Sequence, residues 1–582
     1  MTSNRLAWQA LQPDAESFQS LFSRVFSDNV SDILPDIQPR LFDAANLLQN
    51  SNAPFPLMLI RCAESSENIS LLAQTLQHNS DRKEDLYGGN YLINDEQITW
   101  QPATSADEAF ASRGDVQFAD WIEPEQLFGC LRIFSQRISL QPGLIHRANG
   151  GILLLSLRTL LAQPLMWLRL KQTIVQQRFD WLSPDESRPL PVSIPSMPLQ
   201  LKLVLCGDRD AMADFQEMEP ELAELAVYSE YEDNLRVEDE EEMALWCRWI
   251  TALARQANLP AIEADFWPVL LKEAVRYSGD RETLPLSPAW LSRQLRDAAL
   301  YGDKLDAAAL QAALDARSWR ESYLPDQMRD EILLDQILIE TEGDVIGQIN
   351  GLSVIEFPGH PRAFGEPSRI SCVVHVGDGE FTDVERKAEL GGNIHAKGMM
   401  IMQAFLIAEL ELDQQLPFSA SLVFEQSYSE VDGDSASLAE LCALISALAE
   451  QPINQQIAVT GSVDQFGHVQ PVGGLNEKIE GFFDVCQQRG LTGQQGVIIP
   501  AANVRHLCLQ QEIIDAVRDE QFHIWAVSGV DEALPILTGV AWKKEDAPSL
   551  LQTIQARITE FNQQEARQRP WPLRWLNWFN HS

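Results

Sequence analysis

One stretch, from Glu430 to Lys478, constrains this chain more than any other. It begins with Glu-Val-Asp-Gly-Asp-Ser-Ala-Ser, and apolar residues at helical spacing follow the first serine of that motif, Ser435. Small residues before an apolar run predict a turn that leads into a helix, with Ser435 just inside the helix N-terminus. Free backbone N–H groups and the positive end of the helix dipole lie there. The position therefore suits a nucleophile whose attack generates an oxyanion.

A serine nucleophile needs a base, and the same stretch ends in one. The closing motif reads Gly-Gly-Leu-Asn-Glu-Lys and ends at Lys478. A lysine amine can take the proton of a serine hydroxyl if burial keeps the amine neutral. Each motif alone has an ordinary interpretation, because most serines in a Gly-Asp-Ser turn only cap a helix and a lone lysine is usually solvated. The conjunction of the two motifs favours a catalytic pair.

Together the two motifs resemble the proteolytic domain of the Lon protease family. Asp434 stands where bacterial members usually have proline, so the serine motif is most similar to the archaeal-type (B) branch. The resemblance implies that Ser435 is the nucleophile and that Lys478 is its general base. It also implies that Thr460, in the sequence Ala-Val-Thr-Gly, forms a hydrogen bond with the lysine. The order and spacing of these three residues are those of the family.

The implied chemistry makes demands on the surroundings of Lys478. A solvated lysine side chain has a pKa of about 10.4, so burial must depress the pKa of this base by several units. Thr460 would orient the amine. Backbone N–H groups near Gly433 to Ser435 are the expected oxyanion hole. Asp432 and Asp434 would raise the lysine pKa, so we expect them to bond backbone groups or to gate the site.

The resemblance extends to an ATPase domain that precedes these motifs. Pro56–Ile60 predicts a buried strand, and the loop Arg61–Asn68 follows it at the place of a glycine-rich phosphate loop. The loop contains no glycine, and Glu67 stands about where the phosphate-binding lysine should be. In ring ATPases an apolar strand ends in Asp-Glu to hold magnesium, whereas Ile152–Leu155 is followed here by Ser156-Leu157. We therefore expect a degenerate ATPase domain, and no cofactor or metal.

The sequence predicts a multidomain α/β fold: a degenerate AAA+-like α/β domain with a helical lid, followed by a Lon-type α+β proteolytic domain. The expected segments are 1–45 (helical), 46–235 (AAA+-like, loop-rich at about 75–125), 236–325 (lid), 335–542 (proteolytic) and 543–582 (tryptophan-rich tail). In the lid, Arg293 and Arg296 resemble a sensor arginine, although a solvated helix face explains them equally well. The tail is expected to dock on its own fold or a neighbouring subunit, or to contact a partner, substrate or membrane surface.

Within the proteolytic domain, apolar runs and their spacing predict alternating strands and helices. The expected strands are 370–376, 420–424, 457–460, 497–500 and 523–527, and the expected helices are about 393–410, 435–450, 475–489 and 530–538.

Charge and composition exclude several classes of protein. The formal net charge is −40 at pH 7, and an acidic surface repels phosphate backbones, so nucleic-acid binding is not expected. The eight cysteines stand singly, without a CxxC motif or a cysteine–histidine cluster, so neither zinc nor a disulfide framework is indicated. Archaeal-type Lon enzymes carry a membrane anchor, but no stretch here approaches the roughly 18 apolar residues of a spanning helix. We expect a cytoplasmic protein without a transmembrane segment.

The expected function is that of a Lon-type serine endopeptidase that hydrolyses peptides or unfolded proteins without ATP. The resemblance implies assembly into a homo-oligomeric ring, which is a hexamer in the family. Two alternatives stay open at this point. One is an ATP-dependent Lon protease that binds nucleotide through nonstandard residues. The other is a non-catalytic assembly or adaptor protein.

Overall fold

The computed structural model describes residues 4–78, 85–94, 97–135, 137–183, 187–377, 379–411, 417–427, 432–544 and 547–568. These residues fall into two compact units. The N-terminal unit comprises Phe18–Trp267 and Leu284–Leu310 apart from the undescribed positions, and the C-terminal unit comprises the described residues of Met1–Ser17, Pro268–Thr283 and Gln311–Ser582. The predicted multidomain α/β fold class is confirmed.

The two units divide the chain differently from the predicted segments. The expected helical segment 1–45 and the expected lid 236–325 are each shared between the units. Packing explains the first case, because the start of the chain bonds to residues of the C-terminal unit. The N–H group of Leu6 donates to the carbonyl of Ile524, and the N–H group of Leu509 donates to the carbonyl of Leu11. Such long-range pairings leave no local signal in composition.

The elements up to residue 321 include two short 3-10 helices, at Trp8–Leu11 and Glu16–Phe18. The α-helices are α1 (Gln19–Phe22), α2 (Val30–Ile37), α3 (Pro39–Gln49), α4 (Ser66–His78), α5 (Pro124–Phe128), α6 (Leu144–Arg147), α7 (Leu157–Leu161), α8 (Pro164–Gln176), α9 (Arg209–Met218), α10 (Pro220–Leu225), α11 (Glu240–Gln256), α12 (Phe266–Ser278), α13 (Pro288–Ala299) and α14 (Ala307–Glu321). The strands are β1 (Leu57–Arg61), β2 (Tyr87–Asn94), β3 (Gln97–Pro102), β4 (Phe110–Ser112), β5 (Val116–Ala119), β6 (Cys130–Phe134), β7 (Arg137–Gln141), β8 (Ile152–Ser156), β9 (Arg178–Phe179), β10 (Met197–Pro198), β11 (Lys202–Gly207), β12 (Val227–Glu230), β13 (Asn234–Arg236) and β14 (Thr283–Pro285).

The remaining elements lie after residue 321, with one 3-10 helix at Ala501–His506. The α-helices are α15 (Tyr323–Leu333), α16 (Val384–Lys387), α17 (Asn393–Leu410), α18 (Ser437–Ala449), α19 (Leu475–Arg489), α20 (Gln511–Arg518), α21 (Val530–Thr538) and α22 (Leu550–Gln568). The strands are β15 (Asp344–Val345), β16 (Gln348–Ile355), β17 (Phe364–Val376), β18 (Phe381–Asp383), β19 (Phe418–Phe424), β20 (Ile453–Asn454), β21 (Ile457–Val459), β22 (Ser462–Val463), β23 (Val469–Gln470), β24 (Gln495–Pro500) and β25 (Phe522–Val527).

A parallel sheet forms the centre of the N-terminal unit. Its described strands lie in the order β12-β1-β11-β8-β5, and every adjacent pair is parallel. Strands β1, β8 and β11 are continuous apolar runs because helices cover both faces, so successive side chains are buried on opposite sides. Leu203 and Leu205 of β11 point into one hydrophobic core, and Val204 points into the other. This is the expected ATPase-like α/β layer.

The segment at about 75–125 was predicted to be loop-rich, and this prediction is wrong. It contains β2, β3 and β4, which form an antiparallel sheet, and β5 of the parallel sheet. The glycines of Tyr-Gly-Gly-Asn resemble a turn in sequence, but Gly88 and Gly89 lie inside β2. A Cβ atom on Gly89 would lie 2.3 Å from the carbonyl oxygen of Gln101, so glycine here permits close backbone approach. Half-exposed strands also alternate weakly between apolar and polar residues, which hides them in the sequence.

A mixed sheet forms the centre of the C-terminal unit. Its described strands lie in the order β18-β19-β17-β16-β21-β24-β25. Strand β17 is antiparallel to both β19 and β16, whereas β16, β21, β24 and β25 are parallel to one another. In strands β16, β21, β24 and β25, residues on opposite faces point into two different cores. Ile498 of β24 packs with α17, α18, α21 and α22, whereas Val497 and Ile499 pack with α19 and α20. The C-terminal unit therefore has helices on both faces of its sheet.

The strands and helices predicted for this domain are confirmed. Helices α17, α19 and α21 have the predicted bounds, and each predicted strand overlaps an observed one. One difference concerns the site. Helix α18 begins at Ser437, so Ser435 precedes the helix instead of lying inside it. The helix itself is buried along its whole length, as its apolar composition requires.

In the expected tail segment 543–582, the described residues 547–568 contain α22. Helix α22 packs on the same core as α18 through Leu550, Ile554 and Ile558. Arg557 donates hydrogen bonds to the carbonyl oxygens of Ala447 and Leu448 at the end of α18. The tryptophans predicted to dock or to contact a partner, Trp571, Trp575 and Trp578, lie outside the described residues.

In the part of the chain that the structure describes, no helix is both long enough and apolar enough to span a membrane. All eight cysteines fall within the described ranges as free thiols, and seven of them are buried.

Two glycines allow α19 to lie against β17. A Cβ atom on Gly481 would be 2.1 Å from the carbonyl oxygen of Gly365, and one on Gly365 would be 1.8 Å from the carbonyl oxygen of Glu477. Real Cβ atoms do not approach backbone atoms this closely, so any larger side chain must push the helix away from the strand. Because Lys478 lies one turn before Gly481, this contact also determines where the lysine side chain starts.

Gly481→Ala therefore tests the contact. Alanine is favoured over glycine inside a helix by about 1 kcal/mol, so an unconstrained site would gain stability. We expect the free energy of unfolding to fall by about 1–3 kcal/mol instead, because the methyl group overpacks the interface. Urea unfolding followed by circular dichroism measures the change. Gly473→Ala is the matched control, since no heavy atom lies within 4 Å of its Cβ position. A more stable Gly481→Ala protein would contradict the close contact.

Candidate active site

Ser435 lies in a short loop, Asp432–Ala436, which we call the serine loop. Gly433 has φ +100°, a conformation that favours glycine, and it turns the chain toward α18. The loop is held at both ends by backbone hydrogen bonds. The N–H group of Ser437 donates to the carbonyl of Asp434 (3.0 Å), and the N–H group of Gly461 donates to the carbonyl of Ser435 (2.9 Å). The serine backbone is therefore anchored between α18 and the segment after β21.

Lys478 reaches Ser435 from α19, on the other side of the site. Its Nζ atom donates a hydrogen bond of 3.0 Å to the hydroxyl oxygen of Ser435. The lysine is 3% exposed. Burial lowers the pKa of Lys478 from 10.5 to about 8, although the nearby carboxylates of Asp434 and Glu477 act to raise it. A neutral amine next to a serine hydroxyl is therefore accessible at mildly alkaline pH.

Thr460 lies at the end of β21 and is fully buried. Its hydroxyl group donates to the carbonyl oxygen of Ser435 at 3.5 Å, the limit of a hydrogen bond. The family resemblance implied a hydrogen bond between Thr460 and the lysine, whereas this hydroxyl bonds the serine backbone. The N–H group of Thr460 donates to the carbonyl of Ile498 on β24. Thr460 thus connects the central sheet to the serine loop.

The two aspartates of the serine loop have different partners. Asp432 accepts a hydrogen bond from the N–H group of Gly433 (2.9 Å), as expected of a carboxylate that bonds the backbone. Asp434 accepts one from the hydroxyl group of Ser462 (2.9 Å), a residue that sequence reasoning missed. The oxyanion hole was predicted among the N–H groups of residues 433–435. Because the N–H group of Gly433 already donates to Asp432, the N–H groups of Asp434 and Ser435 are the remaining candidates.

A second group of buried polar residues near the loop also escaped sequence reasoning. Glu440 is 2% exposed on α18, and His395 is 2% exposed on the facing helix α17. The signal that could have found them is Glu440 itself, a carboxylate inside the apolar run from Leu438 to Leu448. A buried carboxylate requires a partner, and the sequence does not say which histidine provides it.

The predicted place of a phosphate loop in the N-terminal unit is occupied by internal contacts. The carboxylate of Glu64 accepts hydrogen bonds from the hydroxyl group of Ser156 and from the N–H group of Arg158 (3.4 Å). Glu67 forms an ion pair of 3.2 Å with Arg296, one of the two arginines that resembled a sensor. Backbone and cationic groups near this loop thus contact the protein's own carboxylates.

Among the described residues, no group of three or more histidine, cysteine, aspartate or glutamate side chains is arranged to hold a metal ion.

Comparisons with known proteins match both halves of the chain. A family model described as the LonB-like AAA domain matches residues 121–228. A model of the Lon protease (S16) C-terminal proteolytic domain matches residues 428–538. A protein of Escherichia coli (strain K12), provisionally named a Lon protease homologue, is 61% identical over 586 residues, which cover 100% of both chains. The chain belongs to the Lon protease family.

Other Lon relatives show how the similarity is distributed. A Haemophilus influenzae protein, also provisionally named a Lon protease homologue, is 44% identical over 92% of this chain and 89% of its own. The archaeal Lon protease of Archaeoglobus fulgidus is 26% identical over 76% of this chain and 68% of its own. These matches confirm the predicted relation to Lon and to its archaeal-type branch. The Lon proteolytic match includes Ser435, Thr460 and Lys478, whereas the AAA match begins after the loop Arg61–Asn68.

Proposed function

We propose that this Lon family member is a serine endopeptidase that cleaves peptides or unfolded proteins through Ser435 and Lys478, without ATP. The observation that carries the proposal is the 3.0 Å hydrogen bond between Nζ of Lys478 and the Ser435 hydroxyl, made by an amine whose burial lowers its pKa to about 8. A solvated lysine would be protonated near neutral pH and would be a poor base. Here the base and the nucleophile are already in contact.

The reaction follows from this contact in two stages. The Ser435 oxygen attacks the carbonyl carbon of a peptide bond while Lys478 takes the hydroxyl proton. The tetrahedral intermediate collapses, its C–N bond breaks, and the leaving amine takes the proton from Lys478. The resulting ester is then attacked by a water molecule, which gives a proton to Lys478. Release of the carboxyl product returns that proton to Ser435.

The surrounding residues keep the pair aligned. Thr460 and Gly461 both donate hydrogen bonds to the carbonyl oxygen of Ser435, so the serine cannot rotate away from the lysine without losing them. Ser462 donates to Asp434, and this bond directs that carboxylate to a partner other than the amine. A carboxylate paired with Lys478 would hold the amine protonated, so the arrangement favours the neutral base.

Ser435→Ala and Lys478→Ala should each reduce cleavage of an unfolded protein such as casein by at least about a thousandfold, because one removes the nucleophile and the other removes its base. The double variant should be no slower than either single variant for the same reason. Initial rates with purified full-length protein measure the effect, and circular dichroism checks the fold.

A serine-directed fluorophosphonate probe separates this proposal from a non-catalytic adaptor. The wild type should be labelled at Ser435, and Ser435→Ala should not. A wild-type protein that neither cleaves casein nor reacts with the probe would support the adaptor, and substantial cleavage by either single variant would exclude the pair.

The rate of acylation should rise with pH through a midpoint near pH 8. The depressed lysine pKa means that the neutral base accumulates as the pH rises, so at pH 7 the rate should be about a tenth of its plateau. Thr460→Val should lower the rate about fivefold, the equivalent of one weak hydrogen bond of about 1 kcal/mol, without moving the midpoint, because the hydroxyl contacts Ser435.

Single-turnover acylation from pH 6 to pH 9.5 measures this profile. His468→Gln is the control, because this histidine is exposed and pairs with Asp464. If His468→Gln removes the pH dependence, the base is not Lys478.

The proposal that ATP is not required rests on the contacts of the degenerate loop. Phosphate binding needs backbone N–H groups and a cation free to meet the ligand. Glu64 instead accepts a hydrogen bond from the N–H group of Arg158 near the start of α7, and Glu67 accepts one from Arg296. A phosphate entering this site would have to displace two carboxylates and would meet their negative charge.

Purified protein should therefore show no ATP hydrolysis above background, and casein cleavage should be unchanged by ATP and Mg²⁺. A phosphate-release assay measures hydrolysis, isothermal titration with ATP measures binding, and casein cleavage is compared with and without ATP and Mg²⁺. ATP turnover on the order of 1 s⁻¹, ordinary for an enzyme, would favour the ATP-dependent alternative if changes at Glu64 and Glu67 abolished it.

We further propose a homo-oligomeric ring, hexameric as the family resemblance implies, and action in the cytoplasm. Free thiols that are mostly buried support a reducing compartment. The net charge of −40 disfavours nucleic acid as a partner.

A further inference from the structure

A cluster of buried titratable groups lies beside the serine loop. His395 on α17 approaches two carboxylates with its Nε2 atom: Asp383 at 3.2 Å and Glu440 at 3.8 Å. The side chains of His395 and Glu440 are 2% and 3% exposed. We call Asp383, Glu385, His395 and Glu440 the His395 cluster. It joins β18, α16, α17 and α18, and the mechanism above does not use it.

The cluster depends on one cation. Asp383 accepts hydrogen bonds from the N–H groups of Glu385 and Arg386, and Glu385 accepts one from the N–H group of Phe424. Glu440 has no such backbone donor among the described contacts, and His395 is its partner. A buried carboxylate without a partner is costly, so the imidazolium is what allows Glu440 to ionise in place.

The titration of the cluster follows from these positions. The pKa of Glu440 is raised to about 7: burial raises it most, His395 acts to lower it, and the charges of Asp383 and Glu385 act to raise it. Burial acts to lower the pKa of His395, but its contacts with Asp383, Glu440 and Glu385 outweigh burial and raise it. Glu425, beyond the end of β19, adds negative charge near Glu385. The histidine is therefore held in its charged form toward higher pH than usual.

The helix that carries His395 also lies directly on the serine loop. A Cβ atom on Gly392 would be 2.3 Å from the carboxylate of Asp432, and one on Gly398 would be 3.0 Å from Cβ of Asp434. His395 lies between these two glycines. Glu440 lies on α18, whose first residues follow the loop without a break. An ion pair between the two helices therefore clamps the elements on either side of Ser435.

We infer that His395 is a positioning residue for the proposed peptidase: its imidazolium ties Glu440 of α18 and Asp383 to α17, and thereby holds the serine loop where Ser435 meets Lys478. This role rests on the proposed function. His395 touches neither reacting group, so it acts through the loop.

Loss of the cation should have a cost that depends on pH. In His395→Gln, Glu440 loses the group that lowers its pKa, so the carboxyl group stays neutral to higher pH. Once Glu440 ionises, it is a buried charge without a counterion. The variant should be within about threefold of the wild type at pH 6 and at least tenfold slower at pH 9. A purely structural defect would give the same ratio at both pH values. The loss should appear in kcat, with KM changed less than twofold, because the loop carries the nucleophile.

Glu440→Gln in the same chain provides the rescue. Glutamine keeps the shape of the side chain and cannot ionise, so the double variant His395→Gln/Glu440→Gln should recover at least half of the wild-type rate at pH 9. His468→Gln is the matched control, since it makes the same substitution at an exposed histidine. A constant ratio of wild-type to His395→Gln rates across pH, or a double variant as slow as His395→Gln, would overturn the inference.

A second measurement does not need proteolysis. Hydrogen exchange of peptides that cover the serine loop, corrected for intrinsic exchange rates, should be at least fivefold faster in His395→Gln than in wild type at pH 9, and near wild type in the double variant. If the wild type cleaves no substrate but the loop behaves in this way, the proposed function fails and the positioning role stands. If the wild type cleaves casein and the loop exchanges equally in all variants, the positioning role is wrong and the proposed function stands.

Discussion

The candidate site depends on the burial of one amine. Lys478 is enclosed because α19 lies unusually close to β17, and that closeness is possible only because glycines face each other there. Burial without an anionic partner in contact lowers the pKa of the lysine, and the same enclosure directs its Nζ atom to Ser435. The packing of α19 on β17 therefore also contributes to the low pKa of the candidate base. A side chain larger than hydrogen at the contact would affect both.

In the His395 cluster, the protein treats buried charge in the opposite way. The amine at the site is desolvated and forms no ion pair with any carboxylate of the described residues, so its neutral form is favoured. In the His395 cluster the imidazole is surrounded by carboxylates, so its charged form is favoured. Both groups are buried to a similar degree. The carboxylates around His395, and not burial alone, make its pKa rise while that of Lys478 falls. The low pKa suits Lys478 to proton transfer, and the raised pKa suits His395 to a structural ion pair.

In the N-terminal unit, the proposed loss of a nucleotide site leaves the scaffold of the ATPase-like domain intact. The parallel sheet and its apolar strands remain, because they are required for the hydrophobic cores on both faces. Glu64 and Glu67 lie in the loop that we propose to be the remnant of a phosphate loop, and they accept hydrogen bonds from the Arg158 N–H group and from Arg296. The family match to the LonB-like AAA domain covers residues 121–228, which follow this loop in the chain.

Sequence alone determined the alternation of strands and helices in the C-terminal unit, because apolar periodicity reports directly which faces are buried. It also determined the Ser435, Thr460 and Lys478 candidates, because short motifs carry them. It could not determine that Thr460 bonds the serine carbonyl, that Leu6 and Leu11 bond Ile524 and Leu509, or that strands β2 to β5 lie between residues 87 and 119. These depend on contacts between residues far apart in sequence. The same holds for His395 and Glu440, which lie 45 positions apart in the chain. Only the packing of α17 on α18 makes them partners, since a buried charge is stable only where the fold brings its counterion.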